Sequence, residues 1–70
     1  MENFKLKTEY ITLGQFLKAT GIISSGGMVK PFLEDNDVFV NGELEIRRGK
    51  KLYASDRVKI DNKEFMMTND

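Results

Sequence analysis

Apolar and polar positions alternate in the opening stretch FKLKTEY, with Phe4 and Leu6 on one side and Lys5 and Lys7 on the other. A period of two predicts a short, half-buried strand. At Thr12 the period changes. Thr12 followed three residues later by Gln15 is a capping box, and Leu13, Phe16 and Leu17 then form one apolar helical face. Gly21 stands where a left-handed C-cap belongs, with Ile22 behind it to fold back on the last turn. A first helix is therefore expected over about Leu13 to Thr20. A second comes soon after: Ser24 or Ser25 can cap it, and Val29, Phe32 and Leu33 repeat the helical spacing. Gly26 and Gly27 in its first turn and Pro31 well inside it predict a bend, or regularity only from about Met28. The acidic run EDND ends it.

VFVNGELEI is a hairpin signal centred on Asn41-Gly42. A strict two-residue loop sets Val40 opposite Glu43 and Val38 opposite Glu45. One more loop residue pairs Val40 with Leu44 and Val38 with Ile46, giving a single apolar face. The pattern therefore predicts a bulged turn with Gly42 at positive φ. DRVKI predicts a further strand burying Val58 and Ile60. Phe65 and Met66 predict a small C-terminal strand, beyond which the last residues fray. The fold class expected is α+β: two short helices packed on a small, mainly antiparallel sheet. Leu13, Phe16, Leu17, Val29, Phe32, Leu33, Val38, Val40, Val58 and Ile60 should share its core.

Seventy residues suit one domain, 1–70, with modest stability. The chain has no cysteine and no histidine, which excludes disulfides, the usual zinc sites and a histidine base. No cofactor or metal is expected, and no P-loop or nucleophile elbow is present, so the chain is not expected to be an enzyme. Its apolar runs are too short for a membrane span or a signal-peptide core, pointing to a cytoplasmic monomer.

Formal net charge is zero, but the charge is segregated. Glu34, Asp35, Asp37, Glu43 and Glu45 occupy 34–45 without a base. Arg47, Arg48, Lys50, Lys51, Arg57 and Lys59 then occupy 47–59 against one acid, Asp56. Segregated charge bears on the choice of partner more than the total does.

The order of these features resembles the ribosomal-protein-S-four-type RNA-binding domain, the αL motif. The matching residues are Leu13, Leu17, Gly21, Ser25, Phe32-Leu33, Val38, Val40, Asn41, Gly42, Asp56, Val58 and Ile60, spanning about 12–60. Ser25-Gly26-Gly27 and Arg47-Arg48-Gly49 resemble the short stand-alone YaaA-type members. The resemblance implies structured RNA, ribosomal or transfer, or ribosomal particles, as the partner. The RNA-facing surface would be the helix pair and the loop after the hairpin. Two departures stand out: Thr12-Leu13-Gly14 replaces an arginine-leucine-aspartate triplet, and Ser25-Gly26 replaces serine-arginine, so two cations of that surface are missing.

The candidate RNA-binding residues are therefore Arg47, Arg48, Gly49, Lys50 and Lys51 in the loop, with Lys18, Lys30, Ser25, Gly26 and Gly27 from the helix pair. The cations would neutralise phosphates and release counterions. Arginine adds a fork for a phosphate or a plane for a base. Gly49 would turn the loop and let its backbone approach the RNA, and Gly26 and Gly27 would present N–H groups. The same loop also suits a solvated turn that pairs with Glu43 and Glu45. Tyr10 and Tyr53 are expected to pack half-buried rather than stack on bases. A different class of function, a module docking an acidic or ribosome-associated protein, fits the acidic patch and the methionines.

Overall fold

Short runs of alternating residues build most of the molecule. The computed structural model describes residues 1–69. In chain order the elements are β1 (Glu2–Lys5), β2 (Tyr10–Thr12), α1 (Leu13–Ala19), a 3-10 turn (Gly26–Met28), α2 (Val29–Asp35), β3 (Val38–Val40), β4 (Glu43–Leu44), β5 (Lys51–Tyr53), β6 (Arg57–Ile60) and β7 (Lys63–Thr68). Five strands form one sheet in the order β1-β7-β6-β3-β4, antiparallel except for β1 beside β7, and β2 pairs with β5 apart from it. Two helices on a mainly antiparallel sheet is the fold class the sequence predicts.

Alternation decides which sheet face is covered. Val38, Val40, Val58, Ile60, Phe65 and Met67 are buried on one face, in one cluster with Leu13, Phe16, Leu17, Val29 and Leu33 from the helices. The Phe16 ring sits edge-on to Phe4 and Phe65, 5.1 Å from each. Phe32 departs from expectation: it is half-buried, packed against the rim of the core.

The expected capping box closes α1. Gln15 N–H donates to Thr12 Oγ1 at 3.2 Å, and Thr12 N–H donates to Gln15 Oε1 at 3.0 Å. Gly21, at φ 79°, ends the helix, but Ile23 rather than Ile22 is the residue seated in the core. Pro31 is not deep inside its helix. Because α2 begins at Val29, Pro31 is its third residue, where the missing N–H has no intrahelical acceptor to lose.

Three strand assignments need correction. The FKLKTEY segment is not one strand but the end of β1 and the start of β2, and β1 pairs in parallel with the far end of the chain. The C-terminal strand is not small: β7 has six residues and lies between β1 and β6, with Met67 fully buried. Of the last few residues, expected to fray, Thr68 still belongs to β7, and Asp70 lies outside the described residues.

The third correction is the hairpin register. Phe39 faces Leu44 and Val40 faces Glu43 across a two-residue loop, with no bulge. Asn41 and Gly42 both have positive φ, 53° and 85°, so the type I′ geometry that suits the strand twist sets the register. The valines are not wasted, because their apolar neighbours come from the other side: Val40 lies beside Val58 and Val38 beside Ile60. Leu44 and Ile46 are consequently exposed, by 56% and 70%, and Glu45 turns inward.

Candidate nucleic-acid interface

The hairpin register determines the geometry of the loop behind it. Glu45 N–H donates to Val38 O at 2.8 Å, and the Glu45 carboxylate is buried at the sheet edge. A buried carboxylate needs donors. Arg47 supplies three: its backbone N–H at 2.9 Å and its Nε at 3.0 Å to Oε2, and its Nη2 at 3.1 Å to Oε1. The forked bond to Arg47 holds the Glu45 carboxyl down at about 2, from an ordinary 4.5, although burial opposes the shift. Arg47 is thus clamped to its own loop, its side chain 72% exposed.

The chain then turns sharply. Lys50 N–H donates to Arg47 O at 3.2 Å, leaving Arg48 and Gly49 at the corner. The far side of the turn docks on the start of α1. Leu13 N–H donates to Lys50 O at 2.8 Å, and Gly14 N–H to Arg48 O at 2.9 Å. The first N–H groups of any helix lack intrahelical acceptors, and here loop carbonyls fill two of those places while Thr12 fills a third. The basic loop is therefore part of the helix cap.

Gly14 is where three elements meet. A Cβ there would lie 3.4 Å from Arg48 O and 3.4 Å from Val29 Cγ1, at contact distance for a methyl group. The loop, α1 and the first turn of α2 thus converge. Lys18 lies one helical turn from Gly14 on the same face of α1, and Lys30 comes after Val29 on α2; both side chains are exposed. Gly14, which the sequence offers only as a departure from a motif, is the contact that joins the loop to the helix pair. A glycine in a first turn, where propensity disfavours it, was its one signal.

The model of the S4 domain family matches residues 4–68 of this chain. The chain belongs to the S4 domain family. The match runs from β1 to β7, so it takes in the parallel strand pair on either side of 12–60. A relative from Bacillus subtilis (strain 168), named "Probable ribosome maturation protein RlbA", is 55% identical over 56 residues, covering 80% of this chain and 79% of that protein.

The remaining candidates of this S4 domain sit differently. Ser25, Gly26 and Gly27 are exposed, and the Ser25 side chain makes no capping bond to the 3-10 turn it precedes. A Cβ at Gly26, Gly27 or Gly49 would meet nothing within 4 Å, and none of the three has positive φ, so the fold itself does not require glycine there. Gly49 sits at the corner of the turn, but the turn does not depend on it.

Tyr10 and Tyr53 are more open than half-buried packing would leave them, at 37% and 42% exposure. They stand opposite each other on the outer side of the β2–β5 pair, ring centroids 5.7 Å apart, while Leu52 points into the core. Lys51 Nζ lies 4.9 Å from the Tyr10 ring centroid. Among the described residues, no helix is long and apolar enough to cross a membrane, and no acidic cluster is arranged to hold a metal ion.

Proposed function

We propose that this S4 domain binds structured RNA, ribosomal or transfer, without catalysing a reaction on it. Binding is carried by Arg48, Lys50 and Lys51, with Lys18 and Lys30 extending the surface along the helix pair and Ser25, Gly26 and Gly27 bordering it. The observation that carries this reading is the docking of the loop on the N-terminus of α1. Cations on a loop fixed by backbone bonds lose less conformational entropy on meeting phosphates than cations on a free loop. Arg47 contributes mainly by shaping the turn, since its fork is occupied by Glu45. Gly49 leaves open backbone at the corner, where a phosphate can approach closely.

Family membership and the ribosome-maturation name of the relative support a ribosomal particle in the cytoplasm as the setting. The second reading, docking on an acidic or ribosome-associated protein, is favoured by exposed Leu44 and Ile46 next to the loop. Crosslinking in cells, with sequencing of the bound RNA, separates the two. Our reading expects ribosomal or transfer RNA fragments with the wild-type chain and their loss with a folded Arg48, Lys50, Lys51 triple-alanine variant. Capture of a protein that excess bulk RNA does not displace would favour docking.

A further inference from the structure

We infer that Tyr53 is a stacking platform for an unpaired base, so that the preferred ligand is RNA with a bulged or looped-out nucleotide beside a duplex. This rests on the RNA-binding reading above and sharpens it.

Tyr53 and Lys51 alternate with buried Leu52 along β5, so both project from the outer side of the β2–β5 pair. Tyr10, directly opposite Tyr53, is flanked by the Tyr53 ring and by the Lys51 ammonium, and so buttresses both. Tyr53 itself borders an open depression whose other walls are Arg47, Gly49, Lys50 and Lys51. One wall is an aromatic ring, the corner is a glycine with open space above it, and the rest is cationic.

Those are the two halves of a nucleotide site. Base–aromatic stacking accepts any base because each has a π-face, and the adjacent phosphate needs cations within reach. A paired base inside an A-form duplex cannot present its face to Tyr53, whereas an unpaired one can. Lys51 links the halves, lying against Tyr10 on one side and lining the depression on the other. A cross-strand tyrosine pair kept only for sheet stability has no need of a cationic depression at one ring.

The test compares one RNA hairpin carrying a single bulged nucleotide with the same hairpin fully paired. The wild-type chain should bind the bulged form about 5- to 150-fold more tightly. Tyr53→Phe should keep that preference. Tyr53→Leu should abolish it while leaving affinity for the paired hairpin and its salt dependence unchanged. A second measurement needs no variant: 5-iodouridine placed at the bulge of the wild-type complex should photocrosslink to Tyr53. Equal wild-type affinity for both hairpins, a preference that survives Tyr53→Leu, or a crosslink elsewhere would overturn the inference. If the triple-alanine loop variant binds both hairpins as wild type does, the broader RNA reading fails. If that variant loses binding but no bulge preference exists, only the stacking site fails.

Discussion

Two connections border the candidate interface, and they are built in opposite ways. The loop 45–50 carries the cations and is held at nearly every step: Glu45 to Val38, Arg47 to Glu45, Lys50 to Arg47, and Arg48 and Lys50 to the first turn of α1. The connection 24–28 carries no charge and is exposed throughout, with a bond from Ser24 Oγ to Met28 Sδ and one from Met28 N–H to Ser25 O. By residue type alone, both are candidate contacts. Their geometry separates them: one is a prearranged charged surface, the other a permissive link. Fixed geometry matters because ordering costs are then met in folding rather than in binding.

Both connections hang on α1, so removing its anchor erases the difference. Leu17 is fully buried. Leu17→Ala should cost about 2–5 kcal/mol, enough to unfold a domain this small. Phe32→Ala should cost roughly half as much, its ring being only half-buried. Thermal melts of the two variants check the order; equal losses would mean the core is drawn incorrectly.

Glycine substitutions sharpen the contrast next. Gly42 has φ 85°, so Gly42→Ala should destabilise by about 1 kcal/mol or more. Gly27→Ala and Gly49→Ala meet no atoms and no positive φ, so their melting points should hold or rise slightly. RNA binding then distinguishes the connections: a methyl at Gly49 should weaken it, one at Gly27 should not.

The Glu45–Arg47 clamp predicts the smallest loss of stability, and a pH signature. The Glu45 carboxyl titrates at about 2 in the folded chain against about 4.5 when free, so its contribution is complete above about pH 4.5 and lost as pH falls toward 2. With Arg47 largely solvent-exposed, that contribution should be only about 1 kcal/mol. Glu45→Gln should therefore lower stability at neutral pH and match the wild type near pH 2. A constant difference across that range would place the effect elsewhere.

Local signals were legible in the sequence, and distant pairings were not. The capping box at Thr12 and Gln15, the left-handed Gly21 and the positive φ at Gly42 are set by a few adjacent residues, and each is found where expected. The β1–β7 pair joins opposite ends of the chain, and β2 and β5 have three residues each, too short for a period to register. The hairpin register differs from the local pattern for a physical reason. The pattern across the turn offers Leu44 and Ile46 as apolar partners for Val40 and Val38, but β6 supplies those partners, leaving the Asn41-Gly42 turn free to set the pairing. That one-residue difference turns Glu45 inward, which in turn engages Arg47. The role of Arg47 in the loop thus depends on a register that no local count of charges reveals.

If Arg48 and Lys50 in the loop and Lys51 at the head of β5 carry the RNA affinity, a salt titration will show it. With ribosomal RNA, the wild-type chain should lose log affinity against log salt with a slope of at least about −2 to −3, the share expected from three neutralised phosphates. Replacing Arg48, Lys50 and Lys51 together by alanine, with the fold verified by circular dichroism, should remove that share of the slope and leave only weak binding. A folded triple variant that keeps the wild-type affinity and slope would show that these three cations are not the binding site.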